Sequence, residues 1–312
     1  MRRGIVLGAL LAVGALSVAV AGFQQPAAGA GQAAPRVVTV QKLRDNLYVL
    51  GGGGGNTAVF ITPSGVTVVD TKNPGWGQPI LDEIKKLTNV PVTTIINTHT
   101  HFDHVSGNVE FPEAVQVFAH VNTVANMERM ATPSGFPVPA GGATNIFKEN
   151  RGRGLPQKTF DTTLAIGRGA DEINLLYFGR GHTNGDAWVF FPALRVLHAG
   201  DIFSGKNIPL LDANNGGSGV AIPASLAKAA ATLTNVDAII TGHSTVMTMA
   251  DLREYAEFNR EFLAAVDAGK RSGQTVDQIA TRWKVPARYV GYAEPQAARL
   301  RSNVQVIFDE LP

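Results

Sequence analysis

Short apolar runs separated by turn residues dominate the chain from residue 37 to residue 70. Asn, Gly and a Pro-Ser-Gly triplet separate these runs, which is typical of β-strands joined by tight turns. The predicted strands are 37–42, 47–50, 57–61 and 66–69. We therefore expect the globular part of the chain to begin with a meander of antiparallel strands.

From residue 78 onward the apolar period changes repeatedly between the helical and the extended value, which predicts the α/β class. The predicted helices are 78–87, one that begins at 103, 121–130, 223–233 and one that opens with the capping-box pattern Thr248 to Asp251. The predicted strands are 93–97, 115–118, 160–166, 173–178, 187–190 and 195–198. The segment from Thr275 onward is predicted to be helical and to cap the fold. Residues 131–157 have no period and are too long for a simple connection, so we expect a lid or mouth loop there.

The N-terminal segment reads as a targeting signal. Arg2 and Arg3 precede a stretch from 5 to 21 that contains no charged residue, which predicts a signal peptide of residues 1–21 with cleavage as late as residue 30. An uncleaved anchor remains an alternative, because this stretch is at the lower end of the lengths that span a bilayer. Residues 22–36 are predicted to be a flexible leader. We expect an exported, periplasmic or secreted protein without stable membrane association after cleavage.

Composition limits the partners of the mature chain. Without Arg2 and Arg3, the 27 basic side chains become 25 and equal the 25 acidic ones, so no nucleic acid is expected as a partner. The chain has no cysteine, which excludes disulfides and a lipoprotein anchor. One catalytic domain is predicted at 37–270, with a helical extension at 271–312 packed on it. The oligomeric state is not predicted.

Candidate chemistry is concentrated in six residues. Three of the seven histidines fall within residues 99–104, together with Asp103. If residues 99–101 are extended, His99 and His101 point to the same side and suit one metal ion. Asp103 and His104 then turn towards a second ion, and Asp103 opens the next helix, where its carboxylate is favoured by the helix dipole.

The run His-x-His-x-Asp-His after a buried strand resembles the signature loop of the metallo-β-lactamase superfamily. Four further stretches resemble the other motifs of this family in order and spacing. They are Val68-Val69-Asp70, Gly181-His182-Thr183, Ala199-Gly200-Asp201 and Gly242-His243-Ser244. The resemblance implies a four-layer αββα sandwich of two mixed β-sheets, with the metals at one edge.

The resemblance also implies which residues hold metal. One zinc would be bound by His99, His101 and His182, the other by Asp103, His104 and His243, and Asp201 would bridge them. Imidazole and carboxylate donors without thiolate suit Zn²⁺, with Fe²⁺ or Mn²⁺ as alternatives, and this many donors exceed the needs of one tetrahedral ion. Asp70 resembles the family's residue that supports the metal loop from outside. Asp186 is predicted either to hydrogen-bond a ligand or to be a plain turn carboxylate.

The implied activity is hydrolysis of an ester, thioester, lactone or amide bond of a small molecule by a hydroxide that bridges two metals, with Asp103 handling the proton. A chain without cysteine does not match the lactamases that use a cysteine ligand. Asp201 instead resembles the fourth motif of glyoxalase II and the lactonases, which leaves β-lactamase activity as an alternative. The mouth loops 51–56, 131–157 and 204–221 give no readable substrate.

Two other classes of protein remain open. Persulfide dioxygenases of the same superfamily use a similar loop with a single iron, and a non-enzymatic metal-binding protein would need no open coordination position. Metal content separates them from a two-zinc hydrolase. His120 and His198 are expected to be structural, and the glycine run 51–55 is expected to be a flexible hairpin at the site mouth.

Overall fold

Two β-sheets form the centre of the structure, a computed structural model that describes residues 36–140 and 142–312. The predicted signal peptide and all but the last residue of the leader lie outside the described residues. The first sheet has the order β1-β2-β3-β4-β5-β6-β7 and the second the order β12-β11-β10-β9-β8. The strands of the first sheet are β1 (Thr39–Arg44), β2 (Leu47–Gly51), β3 (Thr57–Thr62), β4 (Gly65–Val69), β5 (Val92–Ile96), β6 (Gln116–His120) and β7 (Lys158–Phe160). Those of the second are β8 (Thr163–Ile166), β9 (Ile173–Leu176), β10 (Trp188–Phe191), β11 (Val196–Gly200) and β12 (Ala238–Thr241).

Both sheets are mixed. Strands β1 to β4 pair antiparallel as the predicted meander, whereas β4 to β7 pair parallel. In the second sheet β8 to β11 pair antiparallel and β11 pairs parallel with β12. Parallel neighbours end at the same edge of a sheet, so the ends of β4, β5, β11 and β12 can supply side chains to one site.

The inner faces of the two sheets pack against each other through alternate apolar side chains. Phe60 on β3 and Phe191 on β10 meet edge to face, with ring centroids 5.1 Å apart. Other members of this layer are Leu47, Val49, Ala58, Val69, Ile96, Phe118, Leu175, Val189 and Ile240. Alternate residues on the opposite face, such as Val59, Val68 and Ile95, are buried under the outer helices instead.

Helices cover the outer faces. The helices are α1 (Gly77–Leu87), α2 (Phe102–Val105), α3 (Val121–Arg129), α4 (Ile146–Glu149), α5 (Ile222–Thr232), α6 (Met249–Arg271), α7 (Val276–Arg282) and α8 (Ala297–Glu310). Ile80 and Ile84 of α1 pack on the first sheet, and Leu226 of α5 and Leu252 of α6 pack in the cluster over the second. The predicted αββα sandwich is confirmed by this arrangement.

Two predicted elements were wrong. The run 160–166 is not one strand, because the chain bends after Phe160, and β7 and β8 belong to different sheets. The region after Thr275 is not helical throughout, since an irregular stretch that contains Pro286 and Pro295 separates α7 from α8. The predicted capping box is present, with Thr248 and Asp251 at the start of α6.

Residues Arg36–Pro312 form one compact unit, in which α8 packs against α6 and α7. Within the described residues, no helix has both the length and the apolar character needed to cross a membrane.

Candidate metal centre

The ends of four strands and one loop bring the predicted site residues to one edge of the sandwich. Asp70 follows β4 and the 97–104 loop follows β5, whereas Asp201 and His243 come from the ends of β11 and β12. His182 lies on the loop between β9 and β10. Both sheets therefore contribute to the same cluster.

The seven predicted ligands are all in this cluster. Ligand atoms of His99, His101, His182 and Asp201 lie within 4.8 Å of one another, and so do those of Asp103, His104 and His243. Asp201 also contacts the second group, with His104 Nε2 at 3.2 Å from Oδ1 and His243 Nε2 at 3.2 Å from Oδ2. Asp201 is thus the side chain that faces both groups.

One nitrogen of each of four rings faces a hydrogen-bond acceptor outside the cluster. His101 Nε2 is 2.7 Å from Asp212 Oδ2, and His104 Nδ1 is 2.7 Å from Asp70 Oδ2. His182 Nδ1 donates to the carbonyl oxygen of Leu210 at 2.7 Å. The Oγ1 of Thr98 donates to Asp70, so it accepts from His99 Nδ1 at 3.0 Å. These bonds define the tautomers and leave one lone pair of each neutral ring pointing inward.

The inward nitrogens fit a bound cation. His101 Nδ1 and His182 Nε2 are 3.0 Å apart, although both carry lone pairs in the tautomers given by their outer bonds. His104 Nε2 and His243 Nε2 are 3.2 Å apart, and buried His99 Nε2 has no hydrogen-bond partner among the described residues. Facing lone pairs and an unpaired buried nitrogen are costly unless a cation lies between them. The donor set is therefore suited to divalent metal ions.

The two groups differ in electrostatics. Burial opposes a charge on His104, but Asp201, Asp103 and Asp70 outweigh it and raise the pKa well above the usual histidine value. Burial likewise opposes a charge on His243, yet Asp201 and Asp103 raise its pKa to about 10. Burial and the neighbouring histidine His101 lower the pKa of His182 to about 4. Without metal, the protonated form is favoured for His104 and His243, whereas the neutral imidazole is favoured for His99 and His182.

Asp70 supports the loop from beneath. It is fully buried, and besides contacting His104 its carboxylate accepts from the backbone N–H of Thr98 at 2.8 Å and from the Thr98 hydroxyl at 2.7 Å. Its backbone is left-handed, with φ 61°, which a non-glycine residue adopts only where its surroundings require it. Asp70 thus contacts the predicted ligand His104, and its carboxylate lies within 4.8 Å of ligand atoms of both His99 and His104.

Asp186 contacts the backbone rather than a histidine. Both of its carboxylate oxygens accept from the N–H of Thr183 at 3.0 Å, and Oδ1 also accepts from the Thr183 hydroxyl at 2.6 Å. No hydrogen bond joins it to a predicted ligand among the described residues. Of the two predicted roles, the structure shows the turn carboxylate, which orders the backbone just after His182.

Sequence reasoning missed Asp212 and Lys72. Asp212 is fully buried and is the acceptor for His101, yet it lies in a loop with no motif that separates it from other turn carboxylates. The Nζ of Lys72 donates to the carbonyl oxygens of Leu50 and Gly55, at 2.8 and 2.6 Å. It therefore joins the two ends of the glycine run, and its position two residues after Asp70 was the only signal in the sequence.

The glycine run packs tightly against the metal loop. A Cβ on Gly55 would lie 2.1 Å from the His104 ring, and one on Gly53 would lie 2.0 Å from the Trp76 ring. The N–H of Gly55 donates to the carbonyl oxygen of Asp103 at 3.0 Å. Glycine is needed here because the backbone approaches two aromatic rings, so the run forms a wall of the site.

The structure divides the predicted mouth loop 131–157. Its first part adjoins the cluster, because the N–H of Ser134 donates to Asp212 Oδ1 at 2.9 Å. Its last part, residues 149–154, lines a separate cavity of about 600 Å³ with Ile95, Phe111 and Val117, and none of the predicted ligands lines that cavity.

The other two histidines are structural. His120 Nδ1 accepts from the N–H of Asn122 at the start of α3 and its Nε2 bonds the carbonyl oxygen of Asp161. His198 Nε2 bonds the carbonyl oxygen of Asn56, and its Nδ1 accepts from the N–H of Gly200.

Comparison with known proteins gives one consistent family. Residues 50–243 match the model of the metallo-beta-lactamase superfamily. The metallo-beta-lactamase type 2 of Elizabethkingia meningoseptica is 30% identical over 184 residues, which cover 55% of this chain and 64% of that protein. A hydroxyacylglutathione hydrolase of Trichodesmium erythraeum is 26% identical over 136 residues, covering 44% of this chain and 43% of that protein. The matched part of this chain thus spans 64% of the length of the first relative and 43% of the second.

The fold comparison agrees. The structure of a metallo-beta-lactamase from Pontibacter korlensis superposes with a TM-score of 0.58 at 18% identity, and the match covers 72% of this chain and 99% of that one. At this identity the match shows a shared fold.

Proposed function

Because the chain belongs to the metallo-β-lactamase superfamily, we propose that it is a hydrolase that depends on two divalent metal ions, zinc by preference. Its substrate is a small molecule with an ester, thioester, lactone or amide bond. His99, His101 and His182 would hold one ion and Asp103, His104 and His243 the other, with Asp201 between them.

The observation that carries this proposal is the orientation of the imidazole rings. Four outer nitrogens are bonded to acceptors, and the inner ones converge on Asp201 or on each other. If these histidines only stabilised the fold, each inward-facing nitrogen would be expected to form a hydrogen bond with a protein donor or acceptor. Fixed ligands with outward hydrogen bonds are typical of metal centres in which ligand orientation and basicity are tuned.

The residues of the centre have separate tasks. Bound divalent ions supply Lewis acidity and lower the pKa of a coordinated water to near neutrality. Asp103, which is 2% exposed, is the buried carboxylate we assign to proton transfer from the attacking water to the leaving group. The side chain of His243 is 34% exposed, in contrast to the fully buried His104. We therefore place substrate entry on the His243 side.

The relatives and the donor set favour acyl hydrolysis. One relative is named as a hydroxyacylglutathione hydrolase and another as a metallo-beta-lactamase. Asp201 is the residue that resembles the fourth motif of glyoxalase II and the lactonases, and the chain has no cysteine that could serve as a ligand. These two features support ester, thioester or lactone cleavage ahead of lactam cleavage.

The experiment is metal analysis of the purified protein, followed by a panel of a lactone, a thioester, an ester, a lactam and a phosphodiester. We expect about two zinc equivalents per chain and turnover of at least one acyl substrate. His182→Gln should lose metal and activity, whereas His120→Gln, which replaces a buried histidine outside the centre, should retain both.

Other outcomes would contradict the proposal. One iron per chain with oxygen uptake would indicate the dioxygenase class. Two bound metals without turnover of any substrate would indicate a metal-binding protein.

Export is a separate proposal that rests on residues 1–35 of the sequence. We expect a fusion of these residues to a reporter enzyme to carry the reporter across the inner membrane. The control replaces Arg2 and Arg3 by Glu, which should reduce export. Retention of the unchanged fusion in the cytoplasm would disprove the prediction.

A further inference from the structure

Arg299 is a cation beside the metal centre, contributed by the first turn of α8. Its guanidinium lies over the ring of Phe136, 5.8 Å from the ring centroid, and its side chain is half-buried. Burial lowers the pKa of Arg299, whereas Asp201, Tyr255 and Asp103 act in the opposite direction. The ring of Phe136 is two residues from Ser134, whose N–H bonds Asp212, the acceptor for His101, so the loop beside the guanidinium also contacts the centre.

Within the part of the chain that the structure describes, this guanidinium has no carboxylate in direct contact. Among residues 36–140 and 142–312, no carboxylate lies within 4 Å of Arg299. Lys206 on the neighbouring loop differs, because its Nζ pairs with Asp251 at 2.9 Å and with Glu254 at 3.0 Å. A guanidinium has five N–H donors, and partial burial without an acceptor is unfavourable. Arg299 is therefore free to receive an anion that Lys206 would not.

The position of Arg299 is fixed by the same elements that hold His101. Asn303, one turn further along α8, donates to the carbonyl oxygen of Pro209 at 2.6 Å and accepts from the N–H of Leu211 at 3.2 Å. The next residue, Asp212, bonds His101. The first turn of α8 is thereby tied to the segment that orients a predicted ligand.

Residues 135 and 136 of the mouth loop pack against α8 next to Arg299. A Cβ on Gly135 would lie 2.5 Å from Ser302 Oγ, so the backbone next to Phe136 packs directly on α8. Ser134 is bonded to Asp212. The loop that contacts Asp212 thus also supplies the ring that lies against the guanidinium of Arg299.

We propose that Arg299 binds a carboxylate of the substrate and so makes the enzyme selective for anionic esters, thioesters or lactones. The proposal rests on the hydrolase function proposed above. A planar guanidinium matches a carboxylate through two parallel hydrogen bonds, which both attract and orient the substrate.

An alternative role for Arg299, balancing the negative charge of the centre, would affect all substrates equally. If Arg299 only balanced the negative charge of Asp201 and Asp103, its removal would change the centre itself, and neutral and anionic substrates would lose activity in the same proportion. Selectivity between two matched substrates separates the two roles.

The test compares the 4-nitrophenyl monoester of glutaric acid with 4-nitrophenyl pentanoate, which has the same chain length without the carboxylate. With Arg299→Gln we expect KM for the anionic ester to rise about tenfold or more, and KM for the neutral ester to stay within about twofold. Arg299→Lys should recover part of the loss, because it keeps the charge but not the planar fork. Arg301→Gln is the matched control, since Arg301 is on the same helix and pairs with Asp277 instead.

A binding measurement keeps this test independent of turnover. Calorimetry of the metal-loaded protein with glutaranilic acid and with pentananilide should show tighter binding of the acid, and Arg299→Gln should remove the difference. Equal loss for both probes, or no loss for the acid, would overturn the role of Arg299. If neither ester is hydrolysed but the acid still binds through Arg299, the hydrolase proposal fails and the anion site stands.

Discussion

At the scale of single residues, the centre depends on side chains that touch the histidines rather than on the histidines alone. Asp212 accepts from His101 at 2.7 Å and also from the N–H of Ser134 and the side chain of Asn215. Burial raises the pKa of Asp212, but the bond from His101 and the other donors outweigh it and hold the value at about 2. Asp212 is therefore an anion at any pH at which the centre would work.

We expect Asp212→Asn to weaken metal binding about tenfold to a hundredfold. Asparagine keeps the shape and one acceptor but loses the charge that raises the basicity of the His101 ring. The measurement is a competition titration with a zinc chelator of known affinity. Asp309→Asn, at an exposed carboxylate of α8, removes the same charge and should leave the affinity unchanged. Equal affinity of Asp212→Asn and the unchanged protein would refute this prediction.

Asp201 has two separable roles, as a carboxylate between two metals or as a strand-end carboxylate that caps the following turn at 203–205. If it bridges, Asp201→Asn removes the negative charge that lets two cations sit about 3.5–4 Å apart, and activity should fall at least about a hundredfold with loss of one metal. If it only caps, the change should cost about 1 kcal/mol and spare both metals.

Metal content and turnover decide between these roles for Asp201. Asp186→Asn is the control, because Asp186 is another buried carboxylate nearby whose hydrogen bonds go to Thr183. Two retained metals with near-normal turnover in Asp201→Asn would exclude the bridging role.

At the scale of elements, the turn after β4 connects the glycine run to the metal loop. Lys72 is fully buried, with a left-handed backbone at φ 69°, and it donates to the carbonyl oxygens of Leu50, just before the run 51–55, and of Gly55 at its end. Burial lowers the pKa of Lys72 to about 7, against the opposing effects of Asp70 and Asp103. Burial therefore disfavours the charged form of Lys72, while its two hydrogen bonds position the glycine run.

This burial makes stability depend on pH. Lys72 has a pKa of about 7 in the folded protein and 10.5 in its ordinary state. Between these values the unfolded chain binds more protons, so the free energy of unfolding contributed by Lys72 increases as the pH rises from 7 towards 10. Lys72→Met should make this increase smaller.

Urea unfolding of the metal-free protein at pH 7, 8 and 9 measures the effect. Lys86→Met is the matched control, because Lys86 is exposed and pairs with Glu83. An unchanged pH dependence in Lys72→Met would show that the lysine does not carry the linkage.

At the scale of the whole molecule, the centre joins the two sheets. Asp103 and His104 come from the loop after β5 in the first sheet, whereas Asp201 and His243 come from the second. Metal ions bound between them would connect the two halves of the sandwich. A ligand that binds only the folded state stabilises it by mass action.

We expect removal of metal by a chelator to lower the Tm by about 10 °C, since saturation at a thousandfold excess over Kd contributes about 4 kcal/mol. Thermal unfolding followed by circular dichroism with and without the chelator measures this shift. His120→Gln should show the same shift, whereas His182→Gln should show little, because it starts with less metal. A Tm that does not respond to the chelator would argue against a metal that joins the sheets.

The sequence by itself determined the α/β class, most of the strands and helices, and the candidate run 99–104. It did not indicate β12, at whose end His243 lies. The correct predictions were possible because alternation and helical period reflect which face of each element is buried, and because His99 to His104 are close together in the chain. The long-range members, His182, Asp201 and His243, were found only through the resemblance to a family.

Only the tertiary structure decided what surrounds these residues. Asp212 is 111 positions from His101, and Arg299 comes from the last helix, so no local pattern relates either of them to the centre. The split of 160–166 between two sheets also depended on packing, because a short apolar run is compatible with either sheet until its partners are known. Hydrogen-bond partners and electrostatic neighbours depend on contacts between distant segments, which the folded chain creates and a linear pattern does not contain.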